Sequence, residues 1–288
     1  LGNAFRRLGK SDEAIASYRE AVRLKTDHQG AWRGLARVLM QTGGREEAVG
    51  AFDQWLRTDP GNPVALYLRA VCKGEGAPDR APDDYIHHLF DGGAEGFDAH
   101  LERLEYNGPA LLGDALSAAL GPAASLDVLD AGCGTGLCGA SLKRYARRLV
   151  GVDLSPGMLV KANARNVYDD LIGSELTEFM KGRKEAFDVI ASSDTLCYFG
   201  ALEEVFRAVA GALRPAGFFA FTLEDSGAEA PGWKLNSTGR YIHSRSYVES
   251  GLKGAGLAVK NMSSVVLRKE GGKPVAGHLV VARKPPET

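Results

Sequence analysis

The stretch LDVLDAGCGTGLCGASLKRYARRLVGVD, residues 126–153, decides the fold of this chain. An apolar run ends in Asp130, a glycine-rich loop follows, and a second apolar run ends in Asp153. Glycines let a backbone turn sharply and let a ligand approach without a Cβ in the way. Residues 137–147 between the loop and the second run have helical spacing, and a helix N-terminus offers free N–H groups to a carboxylate or a phosphate. The stretch therefore predicts a strand, a ligand-binding loop, a helix and a second strand.

The same alternation continues toward the end of the chain. Further strands are predicted before Glu175 and at 187–191 and 218–223, with helices at 201–213 and 244–255. Two closing strands are predicted near 258–268 and 276–283, on either side of the turn at 269–273. Alternating strands and helices predict a doubly wound parallel α/β sheet, and the turn indicates an antiparallel closing strand.

The glycine loop also fits a second kind of ligand. Gly134, Gly136 and Gly139 match the G-x-G-x-x-G pattern of dinucleotide-binding folds. Three features argue against a dinucleotide. Asp130, directly before the loop, would repel a pyrophosphate, the chain closes with an antiparallel strand, and no second nucleotide-binding half is apparent.

Residues 1–72 follow a different rule, an internal repeat. A shift of 34 residues aligns Ala14 with Ala48 and Tyr18 with Phe52. Small residues recur where two helices approach closely, and aromatic residues recur where a helix fills its neighbour's groove. This pattern resembles the tetratricopeptide repeat. The chain begins at Leu1 without a methionine and holds only two such units, so we expect further repeats before it.

The resemblance leaves the role of the repeats open. They are expected to dock a peptide or a protein partner, to mediate self-association, or only to buttress the domain that follows. Residues 73–84 are rich in Gly, Pro and Asp and are interpreted as a linker. The predicted organisation is thus a helical region at 1–72, a linker at 73–84 and an α/β domain at 85–288.

Composition excludes several classes of protein. The net charge is −1, without the basic stripe that nucleic-acid binding requires, so no nucleic-acid partner is expected. No run of 18 apolar residues and no signal peptide are visible, so a cytoplasmic location and no membrane association are expected. The four cysteines form no CxxC pair, so neither a metal site nor a disulfide is expected.

Four segments of the α/β region resemble, in order, the motifs of class I S-adenosylmethionine-dependent methyltransferases. They are VLDAGCGTGL, GVDLSPGML, FDVIASSDTLCYFG and RPAGFFAFTLED, which begin at residues 128, 151, 187 and 214. The resemblance implies a seven-stranded Rossmann-like sheet and S-adenosyl-L-methionine as the cofactor, with S-adenosyl-L-homocysteine as the product. Residues 85–107 also resemble the lid that closes over the cofactor in such enzymes, with an aromatic residue before an aspartate at Phe97-Asp98. An ordinary amphipathic helix that covers the sheet is the alternative.

The resemblance also assigns roles to residues. The glycine loop would surround the methionine end of the cofactor, Asp153 would take both ribose hydroxyls, and Glu175 would meet the adenine amino group. For Asp153 and Asp194 helix capping is the alternative, and for Glu175 a solvated loop position. The residues expected to contact the cofactor are Phe97, Asp130, Gly132, Cys133, Gly134, Gly136, Leu137, Asp153, Leu154, Met158, Glu175, Leu176, Ser193, Asp194 and Thr195.

Methyl transfer does not require any one catalytic motif, so the catalytic residues are hypotheses. His243, which follows Arg240 and Tyr241, is a candidate general base, because an imidazole has an unperturbed pKa of about 6.5. A surface position before a helix capped by Ser244 is the alternative. Asp194 is a second candidate, and His87 and His88 of the lid are rivals.

The identity of the acceptor stays open between classes of function. A small-molecule or carrier-bound acceptor is the favoured interpretation. A protein acceptor recruited by the repeats and a non-catalytic cofactor-binding scaffold are the alternatives. No Asn-Pro-Pro-Tyr-like segment follows the strand at 187–191, which disfavours methylation of amide nitrogen or adenine N6.

Overall fold

The structure, a computed structural model, describes residues 1–122, 125–227 and 232–287. The chain divides into two compact units. The first contains Leu1–Pro82 together with Leu235–Arg240, and the second contains Asp83–Lys234 and Tyr241–Thr288. The domain boundaries expected from the sequence, with a linker at 73–84 between the helical region and the α/β domain, stay a prediction.

The first unit is built from five helices. They are α1 (Gly2–Arg7), α2 (Ser11–Leu24), α3 (Gln29–Gln41), α4 (Arg45–Thr58) and α5 (Pro63–Lys73). The buried ring of Tyr18 fills the groove between neighbouring helices, since a Cβ added at Gly2 or Gly34 would lie 2.6 or 2.4 Å from it. The aligned positions Ala14 and Ala48 are fully buried. This packing confirms the prediction of helical repeats.

A short segment from late in the sequence belongs to the first unit. Leu235–Arg240 clusters with the repeat helices, where the buried Tyr67 hydroxyl donates a hydrogen bond of 2.6 Å to the Gly239 carbonyl oxygen. The first unit is therefore not continuous in sequence, a feature that the sequence did not predict.

In the described residues of the second unit, nine strands form one mixed sheet. They are β1 (Leu126–Ala131), β2 (Ala146–Asp153), β3 (Asp170–Gly173), β4 (Phe187–Ser192), β5 (Leu213–Asp225), β6 (Trp233–Leu235), β7 (Tyr241–His243), β8 (Ala258–Glu270) and β9 (Lys273–Arg283). β3, β2, β1, β4 and β5 pair in that order and are parallel. β9 pairs antiparallel with β5, and β8 pairs with β9. The Rossmann-like fold is thus confirmed.

The described sheet contains two strands more than the seven expected, the short strands β6 and β7. Glu224 near the end of β5 pairs with Ile242 of β7 and with Gly277 of β9. β9 pairs with one edge of β5. β7 therefore pairs with the other edge, the one that β4 occupies, beyond the point where β4 ends. Three-residue strands are too short to produce a period in the sequence.

Two other elements differ from the sequence prediction. The helix expected from Leu137 to Arg147 is only α9 (Gly139–Lys143), because β2 already begins at Ala146. The turn expected at 214–217 lies within β5, where Ala216 has φ 65° and the pairing with β4 shifts register. A bulge therefore takes the place of the turn.

The remaining helices of the second unit cover the sheet and the edge where its strands end. They are α6 (Asp83–Phe90), α7 (Phe97–Arg103), α8 (Gly108–Leu120), α10 (Pro156–Ala164), α11 (Leu176–Lys181), α12 (Glu203–Ala212) and α13 (Arg245–Gly254), with 3-10 turns at Ala94–Gly96 and Leu196–Tyr198. Leu112 and Leu116 of α8 pack against Val128 and Val189 in the core. No helix within the described parts of the chain combines the length and apolarity needed to cross a bilayer.

Candidate active site

The glycine loop forms a tight turn after β1. Gly132, Gly134 and Gly136 have φ values of 79°, 54° and 83°, a region that side chains disfavour. The Gly132 and Cys133 amides both donate to the Val152 carbonyl oxygen, at 2.8 and 3.0 Å. A Cβ at Gly132 would lie 2.2 Å from the Thr195 side chain. Glycine is thus required where the loop passes between the ends of β2 and β4.

Asp130, the next-to-last residue of β1, carries a buried carboxyl group and is 1% exposed. The Tyr168 hydroxyl donates to its Oδ2 at 2.7 Å. Burial raises the pKa of Asp130 to about 7, although the bond from Tyr168 lowers it and the nearby Asp153 raises it further. Sequence reasoning missed Tyr168, because it precedes β3 in a segment without a recognisable motif.

Asp153 ends β2 and joins two loops. Its Oδ2 accepts from the Gly134 amide at 2.9 Å and its Oδ1 accepts from the Ser155 amide at 2.8 Å. Desolvation raises the pKa of this carboxyl group, whereas the two amides lower it. The capping alternative is wrong, because Ser155 is the N-cap of α10 and accepts from the Met158 amide. Met158 itself is buried, and Leu154 is partly exposed.

Glu175 follows β3 and is the N-cap of α11. Its Oε2 accepts from the Glu178 amide at 2.8 Å. Its Oε1 is buried and has no hydrogen-bond partner among the described residues. The solvated-loop alternative is therefore wrong, and one carboxylate oxygen is available for a ligand donor. Leu176, beside it, is buried.

Three polar residues follow β4. The Thr195 hydroxyl lies 3.1 Å from the carbonyl oxygens of Gly132 and Ser193, the hydroxyls of Ser193 and Tyr106 are 2.6 Å apart, and the Asp194 amide donates to Thr222. The 3-10 turn that follows has Thr195 as its N-cap residue and no side-chain cap, so the capping alternative for Asp194 is wrong.

The Asp194 carboxylate belongs to a buried charge cluster. Arg268 of β8 is 2% exposed, and its Nη1 lies 3.3 Å from Asp194 Oδ1. The same guanidinium contacts Glu224 Oε1 at 2.6 Å and Glu270 Oε1 at 2.7 Å. The guanidinium of Arg268 thus occupies one side of the Asp194 carboxylate. The role of Asp194 as a base stays a prediction. No local motif marks Arg268, which lies 74 residues away from Asp194 in the sequence.

The lid predicted at 85–107 packs over these loops. Three carboxylates of the lid contact the loops and helix beneath it. Asp91 accepts from the Ser155 hydroxyl, and Glu95 pairs with Lys161. Asp98 accepts from both Thr135 and Arg165. The ring of Phe90 makes edge contacts with Phe97 and Tyr198, with centroids 5.8 and 5.6 Å apart. The lid, the glycine loop and α10 therefore enclose the carboxyl edge of the sheet.

His243 is fully buried, so its assignment as a surface residue is wrong. Its Nε2 lies 3.0 Å from the Gly200 carbonyl oxygen and must donate there, because a carbonyl only accepts. Its Nδ1 has no hydrogen-bond partner among the described residues, and burial lowers its pKa to about 4. Ser244 caps α13 as expected. His87 lies 3.8 Å from Asp91, and His88 is exposed. The role of His243 as a base stays a prediction.

Comparison with known families supports both regions. Residues 129–221 match the model of a methyltransferase domain, and residues 1–63 match that of a tetratricopeptide repeat. The human methyltransferase-like protein 27 is 41% identical over 103 residues, which are 35% of this chain and 41% of that protein. The chain therefore spans less than half the length of this relative.

Solved structures share the fold of the second unit. The 1,6-didemethyltoxoflavin-N1-methyltransferase of Burkholderia thailandensis, with bound 1,6-didemethyltoxoflavin and S-adenosylhomocysteine, is 20% identical and aligns with a TM-score of 0.57 over 74% of this chain and 94% of its own. The [4+2]-cyclase SpnF is 16% identical and aligns with a TM-score of 0.57 over 73% of this chain and 98% of its own. At these identities the likeness shows the fold alone.

Proposed function

We propose that this chain, which carries a methyltransferase domain of the S-adenosylmethionine-dependent class after tetratricopeptide repeats, transfers a methyl group to a small molecule or a carrier-bound metabolite. S-adenosyl-L-methionine would lie along the carboxyl edge of β1, β2, β3 and β4. Open α/β sheets bind their ligands at this edge.

The observation that carries the proposal is a series of carboxylates at successive strand ends. Asp130 is the next-to-last residue of β1, Asp153 is the last residue of β2, and Glu175 lies two residues after β3. The cofactor offers hydrogen-bond donors in the same order, an ammonium group, a ribose diol and an adenine amine, and carboxylates only accept. The buried Oε1 of Glu175, for which the described residues offer no hydrogen-bond partner, fits the last donor. A pyrophosphate would instead be repelled along this edge, which disfavours a dinucleotide.

The chain's own residues would bind, orient and shield the reactants. The cofactor supplies an electrophilic methyl group on a sulfonium. Asp153 and Gly134, joined by a hydrogen bond, hold the ribose side of the site in one geometry. The lid excludes water through its contacts with Ser155, Lys161 and Thr135. Alignment of two reactants in a closed site is a large part of catalysis for such a displacement.

The enclosed edge favours a small acceptor over a protein surface. Carboxylates of the lid contact both the glycine loop and α10, so a folded protein would need the lid to move. The Burkholderia relative in fold acts, by its name, on a small heterocycle. Recruitment of a protein acceptor by the repeats is the second candidate, supported by the repeat match at 1–63. The [4+2]-cyclase SpnF shares the fold and is named for a different reaction. A function other than methyl transfer is therefore the third candidate.

Calorimetry with S-adenosylhomocysteine tests the cofactor site. We expect Asp153→Ala to weaken binding about 10- to 100-fold, because a hydrogen bond to a charged group contributes about 1.5–3 kcal/mol. Asp170→Asn is the matched control, since Asp170 makes only an exposed ion pair with Arg148 on β2. Equal affinities in the wild type and Asp153→Ala would remove Asp153 from the site.

The class of acceptor needs a separate measurement. The wild type is incubated with radiolabelled S-adenosylmethionine and either a metabolite extract or a protein extract from which small molecules have been removed. Label in the metabolite fraction alone supports the proposal. Label in protein alone that disappears when residues 1–82 are deleted would favour the protein acceptor instead.

A further inference from the structure

Tyr106 lies in a turn between the lid and α8 that is fixed on both sides. Glu105, before it, has φ 50°, a conformation that non-glycine residues rarely adopt. The Tyr106 amide donates to the Leu101 carbonyl oxygen, and the Asn107 amide donates to that of Leu267 in β8, at 3.1 and 2.9 Å. The position of the tyrosine is therefore set by backbone contacts with α7 and β8.

The turn brings the Tyr106 hydroxyl to the end of β4. Its oxygen lies 2.6 Å from the hydroxyl oxygen of Ser193, the first residue after that strand. A Cβ at Gly108 would lie 2.2 Å from the tyrosine oxygen and 2.3 Å from the serine oxygen. The hydroxyl pair exists only because residue 108 has no side chain.

The hydroxyl pair adjoins the glycine loop. The Ser193 carbonyl oxygen and the Gly132 carbonyl oxygen share the Thr195 hydroxyl, at 3.1 Å from each. Two hydroxyls together carry two donors and four acceptor positions. Besides its bond with Tyr106, the Ser193 hydroxyl also makes a hydrogen bond with the Cys138 thiol. Such a pair can accept a hydrogen bond from a ligand without a charged group. Asp194, the residue after Ser193, forms a buried ion pair with Arg268. The Tyr106–Ser193 hydroxyl pair beside it is neutral, so the two contacts differ in their chemistry.

We propose that the Tyr106 hydroxyl contacts the methyl acceptor and orients its nucleophilic N–H or O–H group, and that Ser193 positions this hydroxyl. The inference rests on the proposed function. In the transfer, the lone pair of the acceptor atom forms the new bond to the methyl carbon, and the electrons of the carbon–sulfur bond remain on sulfur. The proton of the acceptor group leaves to solvent when the site opens for product release. Tyr106 accepts the hydrogen bond that aligns the lone pair and is neither oxidised nor reduced.

An analogue pair tests this contact without a known acceptor. In sinefungin a carbon that bears an amine replaces the sulfonium methyl of the cofactor, whereas S-adenosylhomocysteine has no group there. The amine places N–H donors where the acceptor would meet the methyl group. The ratio of the two dissociation constants therefore measures contacts at the transfer position and cancels the rest of the cofactor site.

We expect Tyr106→Phe to reduce the preference for sinefungin about 10-fold, the effect of losing one hydrogen bond to a charged group, with unchanged affinity for S-adenosylhomocysteine. Ser193→Ala should act in the same direction, and the double variant should lose less than the sum, since the two hydroxyls act as a unit. Tyr145→Phe is the matched control, because Tyr145 immediately precedes β2 at the opposite edge.

The outcomes separate this inference from the proposed function. A wild type that binds neither analogue overturns the proposed function, and the inference with it. A wild type that binds both, with an unchanged ratio in Tyr106→Phe, overturns the inference alone, as does an equal loss of both affinities. Should Tyr106→Phe not fold, Ser193→Ala alone decides by the same ratio.

Discussion

We expect cofactor binding to depend on pH, because Asp130 is a buried carboxyl group whose pKa lies near neutrality. Burial raises the pKa of Asp130 from 3.8 to about 7, so the ligand-free protein is protonated there below neutral pH. An ammonium group placed beside it would favour the carboxylate. We therefore expect the affinity for S-adenosylhomocysteine to rise as the pH increases toward 7, with release of about one proton at pH 6.

Calorimetry in buffers with different ionisation enthalpies measures that proton. Asp130→Asn should abolish the release, whereas Tyr168→Phe should only shift it, because it removes the hydroxyl that lowers the pKa of Asp130. An affinity that does not change between pH 5.5 and 8 would contradict the assignment of Asp130.

Folding stability also depends on the ionisation of Asp130. Its pH dependence is opposite to that of ligand affinity, because this contribution to stability decreases as the pH rises. Since the folded-state pKa of about 7 exceeds the unfolded value of 3.8, the protonated form stabilises the fold. That contribution is complete below the unfolded pKa and is lost as the pH rises through the folded one. Burial of Asp130 is thus a cost at neutral pH that a cationic ligand would offset.

Residues at strand ends were predictable, and their partners were not. Asp130 and Asp153 are recognised because each ends an apolar run beside the glycine loop. Tyr168 and Arg268 contact Asp130 and Asp194 across 38 and 74 residues of sequence. Such contacts arise from tertiary packing and leave no local periodicity.

Among the elements, the lid is held by exposed charges and is expected to respond to salt. Asp98 of α7 accepts from Thr135 and Arg165, and its side chain is 47% exposed. We expect Asp98→Asn to speed dissociation of S-adenosylhomocysteine about threefold, because exposed ion pairs contribute less than about 1 kcal/mol. Chase of a fluorescent analogue by unlabelled ligand measures the rate.

Glu102→Gln on the same helix is the matched control for the lid, since Glu102 is also exposed. The difference between the wild type and Asp98→Asn should shrink in 1 M salt, where the screening length is about 3 Å. Equal dissociation rates for all three proteins at low salt would mean that these contacts do not hold the lid closed.

The bounds of β4 were predicted closely, because this strand is a continuous buried run. β4 was expected at 187–191 and occupies Phe187–Ser192. β6 and β7 were missed because three residues carry no alternation, and α9 was overestimated because the polar start of β2, Ala146–Arg148, fits a helical face as well. Where the spacing of side chains fits both a helix and a strand, pairing with neighbouring strands decides which one forms.

On the scale of the whole molecule, two different sequence patterns predicted a helical repeat region and an α/β region. The 34-residue repeat and the alternation of strands and helices call for different packing, so the change near residue 85 is visible in the sequence. The assignment of Leu235–Arg240 to the first unit was not visible, since Tyr67 and Gly239 are 172 residues apart.

This arrangement leads to a prediction about a fragment that begins at Asp83. The fragment retains every proposed cofactor contact, so we expect it to fold and to bind S-adenosylhomocysteine within about threefold of the full chain, a difference of less than 1 kcal/mol. It lacks the Tyr67 hydroxyl that donates to Gly239, so amides near Leu235–Arg240 should exchange hydrogen faster than in the full chain. Tyr67→Phe in the full chain is the control that removes this bond alone and should cause a smaller acceleration confined to that segment. A fragment that is insoluble or fails to bind would instead show that the repeats buttress the methyltransferase domain.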